Sequence, residues 1–260
     1  MNMPIFGYQV PLHHLSISLR SRVVKELTQA AVSSGQATRD KLRVRETMTL
    51  EELVENHHCG GMPRADLGTI GVMQHTVLVR YRNERRKSGA PAASHFFCVQ
   101  DVLADLDFGP ICELIGLGHD LIEDGVMSLD EILDNFGERV TTGILVLSKR
   151  PEHKEDDAGY FAQVLEAVKN GLWEAGVVKL ADRAHNLRTL EAFKDPERET
   201  SYLASTADNA LWLADQAWPW IEQYAPKHTE SYEVLCNMLH KEYEIQLQRL
   251  ERSEEHTSEL

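Results

Sequence analysis

The chain has 260 residues, a length that suits one large domain or one domain with an extension. Its formal net charge of −14 argues against binding to long nucleic acids, which depends on many lysines and arginines facing phosphates. The same charge still allows a small anionic ligand in a locally basic pocket. No stretch approaches the roughly 20 apolar residues that a membrane span needs, so no membrane association is expected.

The cysteines favour a reducing compartment. The four of them are scattered without the CxxC spacing of metal or redox motifs, at Cys59, Cys98, Cys112 and Cys236. The N-terminal stretch MNMPIFGYQVPLHH lacks a basic segment followed by an apolar run, so a secretory signal is not expected. Together these features predict a cytoplasmic protein.

Helix signals dominate the sequence. TLEE at 49–52 and SLDE at 128–131 are capping boxes, in which Thr or Ser caps a helix and Glu reaches back three residues later. In SLDEILDNFG the apolar residues recur at helical spacing until Gly137 ends the pattern. The β-branched stretch VTTGILVLSK at 140–149 allows a short strand, but no partner run with hairpin spacing follows, which favours a helix.

Helical periodicity continues through DDAGYFAQVLEAVKNG, through AGVVKLADRAHNLRTLEAF and from Thr200 to Tyr224. The sequence therefore predicts an all-α fold with five or more helices around one core. We expect a mostly helical extension over residues 1–60, the main domain over 61–225 and a C-terminal helix over 226–251.

The last nine residues, RSEEHTSEL, are excluded from this interpretation. They correspond codon by codon to a common short-read sequencing adapter. We expect residues 252–260 to be an assembly artefact that replaces the natural C-terminus.

The stretch GHDLIEDG at 118–125 concentrates charge within an apolar region. On a helix predicted from about Pro110 to Asp124, His119 lies four residues from Glu123, and Asp120 lies four from Asp124. Like charges at this spacing repel each other, so a compensating partner is required.

Two other segments are candidates to converge on this stretch. RRKSGAPAASH ends in His95, whereas KLADRAHNLRTL places Asp182, His185, Asn186 and Thr189 on one helical stripe. Convergence would create a cage of two imidazoles and two carboxylates, from His95, His119, Asp120 and Asp182. Such a donor set suits Mn, Fe or Zn.

Each piece taken alone has an ordinary explanation. A His-Asp dipeptide occurs by chance in many chains, Glu123–Asp124 fits a solvated helix end, and Asp182–Arg183 fits a surface pair. The joint order of the segments is far more specific than any one of them.

That order resembles a known family. R-K-S-G-x-P-x-x-x-H, H-D-x-x-E-D-G, S-L-D-E-I with F-G-x-R-V, L-S-K, and K-L-A-D-R-x-H-N-x-R-T-L follow one another from about Arg86 to Leu190. The pattern is similar to the hydrolase domain of the RelA/SpoT-type (p)ppGpp enzymes, which belong to the HD phosphohydrolase superfamily. The resemblance implies an HD-domain helical bundle.

The resemblance also implies roles for individual residues. One divalent metal, most often Mn²⁺, would be bound by His95, His119, Asp120 and Asp182. Glu123 and Asp124 would assist the attacking water. The guanine and nearby phosphate would be held by Arg86 and Lys87, and the nucleotide site would also be lined by Ser88, Asn186 and Thr189.

The sequence departs from the family pattern at two places. Ala92 stands where an aromatic residue is usual, and Phe96 follows His95 where proline is usual. Gly116 and Gly118 replace larger residues before His119. Since a glycine inside a helix costs about 1 kcal/mol relative to alanine, either this helix is weakened or a neighbour packs closely against it.

The activity implied is hydrolysis of the 3′-pyrophosphate of ppGpp or pppGpp, giving GDP or GTP and pyrophosphate. The basic cluster of Arg82, Arg85, Arg86 and Lys87 would offset the substrate charge, although Arg82 and Arg85 fit a solvated surface equally well. The alternatives are an HD hydrolase of another nucleotide, such as an NADPH phosphatase, and a catalytically silent nucleotide-binding regulatory module.

Overall fold

The structure, a computed structural model, describes residues 2–5, 8–11, 49, 52, 68–153 and 155–258. Most of the predicted N-terminal extension therefore lies outside the described residues. Within it, strands β1 (Asn2–Ile5) and β2 (Tyr8–Pro11) pair antiparallel in a short hairpin that the sequence analysis did not predict. The capping box at Thr49 is confirmed, because the Thr49 amide donates to Glu52 Oε2 (2.7 Å) and the Glu52 amide to Thr49 Oγ1 (3.2 Å).

The remainder of the described chain consists of helices and the turns that connect them, which confirms the predicted all-α fold. Its helices are α1 (Thr69–Arg80), α2 (Ala93–Asp105), α3 (Pro110–Gly118), α4 (Leu129–Phe136), α5 (Glu138–Leu147), α6 (Asp157–Lys169), α7 (Trp173–Arg188), α8 (Pro196–Ser205), α9 (Trp212–Tyr224) and α10 (Thr229–Ser258). A π-helical segment, Thr206–Leu211, joins α8 to α9, and short 3₁₀ turns occupy Pro151–His153, Leu190–Phe193 and Pro226–His228.

Local sequence signals account for α4 and α5. The Ser128 hydroxyl accepts a hydrogen bond from the Glu131 amide, and the Ser128 amide donates to the Glu131 carboxylate, so the predicted capping box is present. Gly137 ends α4 with a φ of +81°, in the left-handed region that favours glycine. The β-branched stretch that follows forms helix α5, as favoured.

Helix α7 lies at the centre of the bundle. It packs against α2, α3, α5, α6, α9 and α10, so almost all of its surface is covered by other helices. A helix in this position must compensate every charged side chain it buries. Asp182, Arg183 and His185 are all on α7 and all buried, which makes this helix the place to look for chemistry.

The helix predicted from Pro110 to Asp124 is shorter than expected. Helix α3 ends at Gly118, and residues 119–125 form consecutive turns. The amides of Val126 and Met127 both donate to the Leu121 carbonyl, and Gly125 adopts a φ of +65°. These turns keep Asp120 beside His119, with Oδ2 3.3 Å from Nε2, but the predicted continuation of the helix to Asp124 was wrong.

The glycines before His119 are explained by close helix packing. A Cβ added to Gly116 would lie 2.5 Å from Leu103 Cδ1 of α2. A Cβ added to Gly118 would lie 2.6 Å from Ile144 Cδ1 of α5. The missing side chains therefore let α3 approach α2 and α5 directly.

No described helix is both long enough and apolar enough to cross a membrane. No disulfide joins the three described cysteines, Cys98, Cys112 and Cys236. The domain limits at residues 60, 225 and 251, and the artefactual origin of residues 252–260, remain predictions.

The substitution Gly143→Ala tests the close contact between α3 and α5. An added Cβ would lie 2.9 Å from Cγ1 and 3.4 Å from Cγ2 of the fully buried Ile115, so a terminal rotation cannot relieve the clash. Overpacking costs about 1–3 kcal/mol and the gain in helix propensity returns about 1 kcal/mol, so we expect a net loss of about 1 kcal/mol in the free energy of unfolding.

Urea denaturation measures this loss. Thr142→Ala is the control, because Thr142 is the exposed neighbour of Gly143 on α5, and its effect should stay within about 0.5 kcal/mol. A Gly143→Ala protein as stable as the parent would contradict the packing argument.

Candidate metal and nucleotide site

Three distant segments meet at a buried cluster of donor atoms. His95 lies in the first turn of α2, His119 directly follows α3, and Asp182 lies on α7. His95 Nε2 is 3.1 Å from His119 Nε2 and 3.2 Å from Asp182 Oδ1, and the latter two atoms are 3.6 Å apart. Their residues are only 3–5% exposed. The convergence expected from the sequence is therefore present in the fold.

These spacings fit a single cation. A metal about 2.1 Å from each nitrogen and oxygen ligand holds neighbouring ligand atoms about 3.0 to 3.4 Å apart in octahedral or tetrahedral coordination. The donor atoms of His95, His119 and Asp182 all lie within 4.8 Å of one another. Among the described residues, this is the one group of three or more potential metal ligands with such spacing. Imidazole and carboxylate donors without thiolate suit a first-row divalent metal.

Asp120 lies at the edge of this cluster. Its Oδ2 is 3.3 Å from His119 Nε2, which keeps it within reach of the same cation. Its side chain is 34% exposed, whereas the other three donors are buried. The structure thus separates the four predicted ligands into three buried donors and one that faces the open side of the site.

The orientation of His119 is fixed by the backbone. Its Nδ1 lies 2.8 Å from the Gly116 carbonyl oxygen, which can only accept a hydrogen bond. Nδ1 must therefore carry a proton, which leaves Nε2 as the ring nitrogen that faces the cluster. A backbone or carboxylate partner on the far nitrogen is the usual arrangement for a metal-binding histidine.

Asp182 is held in place by two donors from its own helix. Lys179 Nζ lies 2.9 Å from Asp182 Oδ2, and Asn186 Nδ2 donates to Oδ1 at 2.6 Å. Burial alone would raise the pKa of Asp182, but the Lys179 charge and the hydrogen bonds from His119 and His95 outweigh it and hold this pKa well below its ordinary value. The buried carboxylate is therefore ionised.

The two histidines differ in their electrostatic surroundings. Burial, reinforced by the Arg86 charge, lowers the pKa of His95 to about 3, so this imidazole is neutral. Burial also acts to lower the pKa of His119, but the Asp120 and Asp182 carboxylates outweigh it and raise this pKa well above its ordinary value. The two carboxylates therefore favour a positive charge at His119 Nε2.

Glu123 and Asp124 lie on the exposed side of the turn after His119. Glu123 Oε2 accepts a hydrogen bond from the Lys149 amide at 2.8 Å, and Asp124 Oδ2 accepts one from the Tyr81 hydroxyl at 2.8 Å. Burial and the neighbouring Asp120 charge raise the pKa of Asp124, against the opposing effect of Tyr81. A carboxylate with a raised pKa is suited to accept a proton.

Phe96 explains one departure from the family pattern. Its buried ring has its centroid 4.6 Å from that of Tyr81, 5.4 Å from that of His95 and 5.3 Å from that of His119. The ring therefore packs against both histidines and against the partner of Asp124. A proline at this position would supply none of these ring contacts.

A cationic face adjoins the cluster. Arg86 Nη2 donates to Asn186 Oδ1 and to Thr189 Oγ1, both at 3.1 Å, which unites three of the predicted nucleotide-binding residues. Lys87 Nζ lies 4.4 Å from the centroid of the Phe193 ring. Ser88 Oγ accepts a hydrogen bond from the Ala90 amide (3.4 Å) within its own turn, and within the described chain it forms no hydrogen bond with Asn186 or Thr189.

Other residues at the site were not predicted. Nothing in the sequence indicated a role at the site for Tyr81 or Phe193. Arg198 Cζ lies 4.6 Å from the centroid of the Phe193 ring, and Tyr81 donates a hydrogen bond to Asp124. Lys179 had a detectable signal, because it lies three residues before Asp182 on the same predicted helix. Arg82 and Arg85 are exposed, which matches their surface interpretation.

The substitution Lys179→Met tests the compensation of the Asp182 charge. Removing one partner of a buried ion pair leaves the other uncompensated, so we expect the metal-free protein to lose about 3 kcal/mol in the free energy of unfolding. Urea denaturation in the presence of EDTA measures the loss.

Lys169→Met is the matched control, since the Lys169–Glu166 pair is a surface pair at 3.6 Å with side chains 41% and 66% exposed. Its effect should stay within about 0.5 kcal/mol. Equal stability of the two variants would show that Lys179 does not compensate Asp182.

No protein-family model matches the chain. Curated proteins do match it. A Streptomyces coelicolor protein named GTP pyrophosphokinase is 30% identical over 145 residues, covering 54% of this chain and 17% of that protein. A Synechocystis protein named probable guanosine-3′,5′-bis(diphosphate) 3′-pyrophosphohydrolase is 33% identical over 148 residues, covering 54% of this chain and 19% of that protein.

Among solved structures, one from work on a metazoan ortholog of SpoT that hydrolyses ppGpp is 18% identical, with a TM-score of 0.49. The match covers 65% of this chain and 94% of that one. The curated relatives are much longer than the matched region, and this chain spans less than a fifth of either of them.

Proposed function

We propose that the chain is a metal-dependent (p)ppGpp hydrolase of the HD superfamily. Its resemblance to RelA/SpoT-type enzymes and its similarity to these relatives support the proposal. The reaction is hydrolysis of the 3′-pyrophosphate of ppGpp or pppGpp to GDP or GTP and pyrophosphate. The observation that carries the proposal is the buried His95–His119–Asp182 cluster, with acidic and cationic side chains on its open side.

In this proposal His95, His119, Asp120 and Asp182 hold one divalent cation, Mn²⁺ by family resemblance. When bound, the cation lowers the pKa of a water and polarises a phosphoryl oxygen. Two of these residues are held in place by neighbours, Asp182 by Lys179 and His119 by the Gly116 carbonyl.

Glu123 and Asp124 are assigned to the attacking water. Both carboxylates are exposed, so they can reach a substrate on the open side of the cluster. The Tyr81 hydrogen bond orients Asp124, whose raised pKa suits it to take the proton that the water loses. Glu123, held by the Lys149 amide, positions that water by accepting a hydrogen bond from it.

Nucleotide binding is assigned to Arg86, Lys87, Ser88, Asn186 and Thr189. The guanidinium of Arg86 can contact phosphate through two parallel hydrogen bonds and can stack on a base. Asn186 and Thr189 already orient it through hydrogen bonds at 3.1 Å. Arg86 thereby presents a preorganised cation to an anionic nucleotide.

The names of the relatives include both synthesis and hydrolysis, so these two activities must be distinguished. The buried histidine–aspartate cluster with nearby proton acceptors favours hydrolysis, since water activation needs a cation and a base. Hydrolysis of another nucleotide, such as removal of phosphate from NADPH, uses the same groups. A catalytically silent regulatory module would not need Glu123 and Asp124.

The proposal includes a cytoplasmic location, a small-molecule nucleotide as substrate and no role for long nucleic acids or membranes. The scattered spacing of the four cysteines and the net charge of −14 support these points.

Pyrophosphate release from ppGpp, with and without added Mn²⁺, tests the function. Parallel reactions contain pppGpp, NADPH, or ATP with GDP. Manganese-dependent release from ppGpp or pppGpp supports the proposal. Turnover of NADPH alone would replace the substrate, formation of ppGpp from ATP and GDP would replace the reaction, and nucleotide binding without any turnover would support the regulatory alternative.

The variants Glu123→Gln and Asp124→Asn test the assignment of the water-handling groups. Loss of a general acid–base group lowers turnover by about 10²- to 10⁴-fold, so we expect a fall of that size in kcat for Asp124→Asn. Mn²⁺ affinity should change little, because neither residue is an assigned ligand.

Asp134→Asn is the control, since Asp134 is an exposed acidic residue on α4. Its kcat should equal that of the parent protein. Undiminished turnover in both site variants would overturn these assignments.

A further inference from the structure

His185 is a buried histidine that the proposed mechanism does not use. It lies on α7, one turn after Asp182, and is 1% exposed. Its Nδ1 is 2.8 Å from Nδ1 of His95, and the two ring centroids are 4.8 Å apart. The contact is therefore a nitrogen-to-nitrogen hydrogen bond to a candidate metal ligand.

A hydrogen bond between two imidazole nitrogens requires that one of them carry the proton. His95 directs its Nε2 towards Asp182 Oδ1 and His119 Nε2. To bind a cation there, His95 must present the Nε2 lone pair and carry its proton on Nδ1. That proton can then be donated only towards His185 Nδ1.

We propose that His185 is a positioning residue, which accepts the Nδ1 proton of His95 and so fixes the ring and the tautomer in which His95 binds metal. His185 does not touch the metal in this proposal. The inference rests on the proposed function, because it presumes the cation at the His95–His119–Asp182 cluster.

The second histidine of the cluster supports this assignment. His119 Nδ1 meets the Gly116 carbonyl, which accepts a proton at 2.8 Å. His185 occupies the equivalent place beside His95 at the same distance. Each candidate ligand then has a hydrogen-bond acceptor at Nδ1 and a lone pair on Nε2 that faces the cation, as metal-binding histidines require.

The imidazole of His185 also allows a second arrangement. With its own proton on Nδ1, His185 donates to His95, and His95 Nε2 can donate to Asp182 Oδ1 at 3.2 Å. The two arrangements differ only in the placement of protons on neutral rings. Cation binding therefore requires the form in which His185 accepts, and a side chain unable to accept there weakens binding.

Three substitutions distinguish this role from simple filling of space. Asn Oδ1 and His Nδ1 are both bonded to Cγ, so His185→Asn retains an acceptor at about the same place. His185→Gln moves its oxygen one bond farther out, and His185→Leu removes it. His228→Leu is the matched control, because His228 is a buried histidine between Phe108 and Trp173, away from the cluster.

The measurement is the Mn²⁺ dissociation constant of the full chain, from the electron paramagnetic resonance signal of free Mn²⁺. Loss of such a supporting hydrogen bond weakens metal affinity by about 10- to 100-fold, which we expect for His185→Leu and His185→Gln. His185→Asn and His228→Leu should stay within about threefold of the parent protein.

Parent-like affinity in both His185→Leu and His185→Gln would overturn the inference and leave the metal site intact. Absence of Mn²⁺ binding by the parent protein would instead overturn the proposed metal site, and this inference with it. A measurement on the unsubstituted protein guards against misfolded variants. With Zn²⁺ bound, ¹⁵N spectra should show a protonated Nδ1 on His95 and an unprotonated Nδ1 on His185, and the reverse pattern would contradict the inference.

Discussion

The ionised carboxylate of Asp182, buried on the central helix α7, is the constraint on which the rest of the site depends. A carboxylate that is 5% exposed is costly unless nearby groups compensate its charge. Lys179 and Asn186 compensate it from the same helix, whereas His95 and His119 reach it from α2 and from the turn after α3. Because these groups come from separate elements, the elements must be fixed relative to one another. The same fixed arrangement holds the donor atoms close enough together to bind a cation.

Small residues provide that fixed geometry. Gly116 and Gly118 allow α3 to contact α2 and α5 without an intervening side chain, and Gly143 does so from the side of α5. The Gly116 carbonyl also fixes His119, so one residue sets both the helix spacing and the ring orientation. Functional sites need their groups held to within about 0.5 Å, and direct backbone packing is a more rigid way to achieve this than long side chains. Glycine lowers the helix propensity of α3, but it allows the close packing that positions the donor atoms of the cluster.

Sequence reasoning succeeded where the interactions are local. The capping boxes at Thr49 and Ser128 involve residues three apart, so their hydrogen bonds can be predicted from the chain alone. The meeting of His95, His119 and Asp182 required the family resemblance, because no local pattern specifies contacts across nearly ninety residues. Helix α3 was extended too far because charges four residues apart fit a helix and a series of tight turns equally well. Tyr81 was missed because its hydroxyl meets Asp124 only after the helices have packed, whereas Lys179 could have been found from its spacing.

The proposed polyanionic substrate is compatible with a net charge of −14 because electrostatic interactions in salt solution act over short distances. At physiological ionic strength the screening length is about 8 Å, so a nucleotide in the site interacts mainly with the groups around it. Arg86 hydrogen-bonds to Asn186 of α7, while the Lys87 and Arg198 cations both lie within 4.6 Å of the centroid of the Phe193 ring. The acidic remainder of the surface raises the local concentration of divalent cations and repels anions. A bound cation would convert the most acidic part of the site into one that attracts phosphate, so in the proposed function metal binding is the step that makes nucleotide binding favourable on this protein.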